Sequence, residues 1–211
     1  EIRVTNIKAN DGTASLTVAN STGAVTTTGN ATVGGAINAD TINEKTSANG
    51  VSIDGLKIKD YSLMYGSNIG LTINSSGYAL TPKTVWFHAY NGATQNTSAA
   101  VTVVEFSSAQ QDSSNSYSTS TDTFTAPVGG TYYFSYSFMN NAAEHCRHAF
   151  YVNGSNVNTR FTKDQIYVTS NNFWVGSLSN GDSVNVRIDV SANNEGHVHN
   201  DFRVFTGFLI G

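Results

Sequence analysis

Apolar and polar residues alternate with a period of two along most of the chain, and the alternation changes character near residue 82. Beyond that point the runs are long and their apolar members are large. Tyr132, Phe134, Tyr136 and Phe138 fall on one side of residues 131–139, opposite Tyr133, Ser135 and Ser137. Val184, Val186, Ile188 and Val190 alternate with Asn185, Arg187 and Asp189 in the same way. Both patterns predict half-buried strands in an antiparallel architecture. Further strands are expected over 84–89, 100–106, 148–152, 172–178 and 202–210, with Asn153-Gly154 and Asn180-Gly181-Asp182 as turns. About eight strands in a region of this length is the number a jelly-roll sandwich uses.

Before residue 82 the runs are short and thin. Leu16-Thr17-Val18 and Ala24-Val25-Thr26 are separated by Asp11-Gly12, Thr22-Gly23, Gly29-Asn30 and Gly34-Gly35, which mark turns. Residues 1–60 contain no Phe, Tyr or Trp, although the chain has 11 Phe, 10 Tyr and 2 Trp. Aromatic side chains bury the largest areas in an ordinary core, so this stretch has little with which to build one of its own. A solvated low-complexity leader is one reading of its Ser, Thr, Asn and Gly content. The regular placement of Ile37, Ile42, Val51, Ile53, Leu56 and Ile58 favours another, in which strands of identical chains intertwine and share their apolar residues along one axis. The expected organisation is a repetitive β stalk over 1–60, a connector over 61–82 and a compact head over 83–211.

Composition narrows the function. Only 12% of residues are charged and the net charge is −4, so no basic stripe is available for phosphates and nucleic-acid binding is not expected. Few Lys and Glu with much Thr and Asn disfavour helices, and the chain is read as all-β. No apolar run approaches the roughly 20 residues of a membrane span, and no leader opens the chain at Glu1, so a soluble protein without a membrane partner is expected. Cys146 is the only cysteine and can form no internal disulfide.

Two histidine clusters, His145-Cys146-Arg147-His148 and His197-Val198-His199, are the places where a ligand set might be sought. In a strand His197 and His199 would share a face, which suits two imidazoles on one metal ion; the other reading makes all of these polar loop and strand-edge residues. A trimer would bring three copies of a histidine around its axis. The carboxylates sit in no catalytic context, and no nucleophile elbow or phosphate-binding glycine loop occurs, so neither catalysis nor a cofactor is expected. Residues 107–123, with the single Tyr117, and 191–201, with Asn194, Glu195 and His197, read as amide-rich loops suited to carbohydrate or protein contacts. Solvated connections are the competing reading for each.

Two resemblances add to this. The segment Ile42-Asn43-Glu44-Lys45-Thr46, with Gly50-Val51-Ser52-Ile53-Asp54-Gly55-Leu56-Lys57-Ile58-Lys59-Asp60, resembles one recurrent in tail fibres and other structural proteins of bacteriophages and large viruses. It implies a fibrous virion protein, commonly trimeric. Phe124-Thr125-Ala126-Pro127-Val128-Gly129-Gly130-Thr131-Tyr132-Tyr133-Phe134-Ser135, then Asn153-Gly154, Leu178-Ser179-Asn180-Gly181-Asp182-Ser183-Val184 and Phe205-Thr206-Gly207-Phe208-Leu209-Ile210, is similar to the globular head of the complement C1q and tumour necrosis factor superfamily. That resemblance runs from about Trp86 to Gly211. It implies a ten-stranded jelly roll that assembles as a trimer and binds ligands through surface loops. No Gly-X-Y collagen precedes the head, and a β stalk takes its place. Together they imply a non-enzymatic homotrimeric fibre or spike at the virion surface, a head that attaches to a host glycan or protein receptor, and an N-terminal end held by other virion proteins. The alternatives are a tailspike enzyme that degrades polysaccharide, a head that serves only as a trimerisation knob, and a secreted cellular adhesion protein.

Overall fold

The structure is a computed structural model of the 211-residue chain. It describes all residues except 1–5, 9–13, 19–24, 28–29, 33, 40, 44–48, 55, 99–100, 141–145, 163–166 and 191–194. Of 6–8, 14–18, 25–26, 96–98, 146, 189–190, 195–197 and 200 it describes the backbone alone. The described elements are all strands, in two compact units, Glu1–Val51 and Ser52–Gly211. No helix among the described residues is long and apolar enough to cross a membrane.

In the first unit β1 (Asn6–Lys8), β2 (Ala14–Val18) and β3 (Val25–Thr27) form an antiparallel sheet in that order, with Leu16 opposite both Ile7 and Thr27. Leu16-Thr17-Val18 and Val25-Thr26 therefore lie in strands, while Ala24 and the turn dipeptides Asp11-Gly12 and Thr22-Gly23 lie outside the described residues. Ile37 and Ile42 are exposed in the single chain.

A five-stranded meander follows: β4 (Val51–Ile53), β5 (Leu56–Lys59), β6 (Ser62–Tyr65), β7 (Asn68–Ile73) and β8 (Ala79–Leu80) pair in sequence order. Strands thus continue through 61–80 without a change of architecture. Period-two alternation gives the meander one apolar side. Ile58 lies opposite Leu63, Leu63 opposite Leu71, Leu56 opposite Tyr65 and Ile73 opposite Ala79. The reverse side is mixed, with Lys57, Lys59, Ser62 and Thr72 beside Met64 and Ile69. It is the apolar side that is exposed, Ile58 by 51%.

The remaining strands build the head. They are β9 (Trp86–Tyr90), β10 (Gln95–Ser98), β11 (Val101–Val103), β12 (Ser108–Asp112), β13 (Tyr117–Ser118), β14 (Thr123–Thr125), β15 (Gly130–Asn140), β16 (Cys146–Val152), β17 (Ser155–Thr162), β18 (Val168–Leu178), β19 (Ser183–Val190) and β20 (Glu195–Leu209). One sheet runs β12-β9-β20-β15-β18 with β10 beside β20, and the other runs β13-β14-β19-β16-β17 with β11 beside β19. This is a jelly-roll sandwich with two five-stranded paths, more strands than the hydrophobic pattern alone predicts. The strands that pattern misses are β10, β12, β13, β14 and β17, short or polar segments whose place in the ladder is set by backbone pairing rather than by side-chain burial.

The two strict alternations of the sequence face each other across the sandwich. Tyr132, Phe134, Tyr136 and Phe138 of β15, and Val184, Val186 and Ile188 of β19, are all buried. Phe87 sits between them, stacked on Tyr117 and Phe124 at 5.0 Å each and edge-on to Phe205 at 4.9 Å. Each such ring contributes roughly 1.5–3 kcal/mol by leaving water. The β16–β17 hairpin closes at Asn153 and Gly154, both with positive φ (48° and 81°), as a tight two-residue hairpin turn requires.

Candidate functional site

Because inward and outward positions alternate, burying Tyr132, Phe134 and Phe205 presents a second set of side chains on the far side of the β9-β20-β15-β18 sheet. Across the ladders Trp86, Phe208, Tyr133 and Val175 form one row, and His88, Thr206, Ser135 and Phe173 form the next. Tyr133 packs against Phe208 at 5.1 Å and parallel to Phe173 at 6.5 Å. Phe173, Phe208 and Trp86 are exposed, Phe173 by 57%, while Tyr133 between them is half-buried. An aromatic row running from β9 across β20 and β15 to the edge strand β18, with no layer over it in the single chain, is a surface built for contact.

One end of this sheet is fixed by Arg203. It follows Phe202 and precedes Val204, so alternation turns it inward beside Phe205, and only 2% of it is exposed. Its guanidinium donates to four backbone carbonyls: Nη1 to Glu105 at 2.7 Å, Nη2 to Ala93 at 2.7 Å, Val198 at 3.0 Å and His199 at 3.0 Å, and Nε also to His199 at 3.1 Å. Burial pulls its pKa below the ordinary arginine value, and the nearby Glu105, Asp122 and Asp201 partly offset that. Arg203 thus ties three chain segments together, and the period of its own strand was the signal for it.

The residues proposed from sequence fare differently. Tyr117, proposed as an aromatic on a receptor loop, is a core residue with 7% exposure. It lies on β13 opposite Phe124, and the pairing turns its ring onto Phe87 rather than outward. Its hydroxyl lies 3.4 Å from both the Phe106 carbonyl and Asp122 Oδ1; burial foremost, with the Asp122 charge, raises its pKa. Burial also raises the Asp122 carboxyl, against the pull of the hydrogen bond from the Phe106 N–H at 2.7 Å. The stretch 107–123 is therefore not one loop but carries β12 and β13.

Similarly, the stretch 191–201 becomes strand from Glu195 onward, where β20 pairs with β10. Val198 is buried there among polar neighbours, which hid the period. Asn194 lies outside the described residues, and Glu195 and His197 are placed by backbone only. His199 is half-buried against Phe202 at 5.1 Å, and its Nδ1 has no hydrogen-bond partner among the described residues. Among the described residues no three His, Cys, Asp or Glu side chains come together as a metal set.

In the other histidine cluster His148 points into the sandwich instead of lying in a polar loop. Its Nδ1 is 2.6 Å from the Tyr136 hydroxyl and its Nε2 3.3 Å from Thr162 Oγ1. Burial, with the Arg160 charge adding to it, pushes the imidazole down to about 4. His145 lies outside the described residues.

The C1q domain family matches residues 86–210, more than half of the chain. The chain belongs to the C1q family. C1q domains are trimerising, ligand-binding domains, not enzymes, and typically extracellular. Similar solved structures include the globular domain of zebrafish complement 1qA, with 19% identity, a TM-score of 0.49, and coverage of 61% of this chain and 98% of that one. Murine APRIL matches with 15% identity and a TM-score of 0.49 over 61% and 100%, and Eiger TNF from S. frugiperda with 8% and 0.47 over 61% and 93%. No curated protein sequence matches the chain.

Proposed function

We propose that the protein is a homotrimeric virion fibre whose C1q head attaches to a host-surface glycan or protein. The observation that carries the assembly is the uncovered aromatic row Trp86, Phe208, Tyr133 and Val175, with Phe173 beside it. Tyr133 and Phe208 lie on interior strands of the sheet, where a local rearrangement cannot hide them, so a second and third copy of the same face are their natural cover. The meander over 51–80 has the same need, since its Ile58, Leu63 and Leu56 side is open in the single chain. The fibre reading rests on the resemblance of residues 42–60 to viral fibre segments, and with it goes the expectation that the N-terminal end is held by other virion proteins.

The experiment is the mass of the chain in solution by light scattering, beside the variant Phe208→Glu. Three copies for the parent and dissociation for the variant are expected, because the charge would be buried against aromatic rings. Attachment is tested by binding of the intact chain to host cells and to a glycan array.

A further inference from the structure

The sheet that faces away from the aromatic row holds a recess lined by two arginines, an asparagine and a threonine. Its floor is Ala149 of β16, a small residue only 3% exposed, and its rim is Arg187, Tyr151, Asn156, Thr159 and Arg147. Arg187 is held in place twice: its Nε donates to Asn185 Oδ1 at 3.0 Å, and its guanidinium carbon lies 4.6 Å over the Tyr151 ring. Its two Nη nitrogens make no further hydrogen bond among the described residues. Thr159 Oγ1 donates to Asn156 Oδ1 at 3.0 Å, which engages the amide oxygen and leaves the N–H₂ of this lining residue as its donor group. Arg147 adds a second guanidinium on the same face, with Asp189 opposite it in the β16–β19 ladder.

A pre-oriented guanidinium edge beside a fixed amide N–H₂ is complementary to a planar or tetrahedral oxyanion, and Arg is the residue suited to bind one in bidentate fashion. The recess has a volume of about 60 Å³, room for such a group and not for a sugar ring. The rest of a ligand would lie on the flat sheet beyond it. There Thr159 is followed two residues later by Phe161, about 7 Å along the strand, a residue 55% exposed. Hydroxyl and amide side chains next to a partly exposed aromatic residue match the hydroxyls and C–H groups of a pyranose better than they match peptide side chains.

We infer that this recess binds the carboxylate or sulfate group of an acidic saccharide, with Arg187 and Asn156 as its anchoring donors. The inference rests on the attachment reading above and names its ligand class. The test is isothermal titration of the full chain with 3′-sialyllactose, with a sulfated lactose and with lactose itself, repeated with Arg187→Gln and Asn156→Ala, each checked for an unchanged circular dichroism melt. At least one acidic sugar should bind and lactose should not. Arg187→Gln should weaken binding about tenfold or more, as expected for loss of a charge-assisted pair, and Asn156→Ala should weaken it less.

The two acidic sugars separate carboxylate from sulfate as the source of the anion. Equal binding of lactose, or affinity untouched by both variants, overturns the assignment. An acidic peptide that binds where no saccharide does overturns it in favour of a protein receptor. Host-cell binding that survives in Arg187→Gln with unchanged strength leaves attachment standing and removes this site; a chain that binds no host cell removes the attachment reading itself.

Discussion

The head and the meander before it are both antiparallel sheets with one apolar side, and they differ in what lies against that side. In the head the second sheet covers it, at a separation that only long side chains can fill, and Phe87, Phe134, Phe205 and Tyr132 do so. In the meander the apolar side is made of Leu56, Ile58, Leu63 and Ile73, and it faces solvent in the single chain. The same period-two pattern thus yields a self-contained core in one place and a surface in search of a neighbour in the other. Side-chain size, set by the sequence on either side of residue 82, decides between them.

The same substitution placed in the two regions breaks this comparison most sharply. Ile188→Asp would bury an unpaired carboxylate between the sheets and should cost about 5 kcal/mol or more, enough to unfold the head. Ile58→Asp should leave the head's melting transition within about 0.5 kcal/mol of the parent, and weaken only the association of the preceding segment. Expression level and thermal melts of the two variants check this; equal damage from both would mean that the meander shares the head's core.

Next in size is Arg203→Met, which strands the carbonyls of Ala93, Glu105, Val198 and His199 without their donor. A loss of about 3 kcal/mol in urea denaturation is expected, whereas an unaltered midpoint would show that the clasp is replaceable by water. A comparable effect follows from acid. The His148 imidazole is held neutral in the folded head, with a pKa of about 4, against an ordinary value near 6.5. Protons therefore bind the unfolded chain first, and stability is full above about pH 6.5 and lost as pH falls, by roughly 3 kcal/mol at pH 4. His148→Gln should flatten this slope relative to the parent; parallel curves would exclude it as the source. Within the head core a smaller effect is expected for Gly207→Ala. A Cβ there would lie 2.4 Å from the Phe134 ring and 2.7 Å from that of Phe87, so the core must shift, at about 1–3 kcal/mol.

How much of this could be read in the sequence varied with how strongly side chains, rather than backbone, define an element. β15 and β19 were legible because every second residue is large and apolar, and the Asn153-Gly154 turn because few other residues accept its conformation. β12 was not, since Ser-Ala-Gln-Gln-Asp has no apolar face, and it is a strand by its pairing with β9. Tyr117 was misplaced for a related reason: an aromatic in a Ser-rich stretch looks like a loop tip, yet its partner Phe124 belongs to the core. Arg187 and Asn156 come from strands far apart in sequence and meet only in the folded sheet, so no spacing could have joined them.

The most direct measurement is sedimentation equilibrium, with a parallel circular dichroism melt, on residues 83–211 alone and on residues 1–82 alone. The head fragment should melt cooperatively and sediment as three copies, while the isolated N-terminal fragment should show no cooperative β transition. A head fragment that is monomeric, or that folds only when residues 1–82 are present, would contradict the division between a region that owns its core and one that borrows its cover.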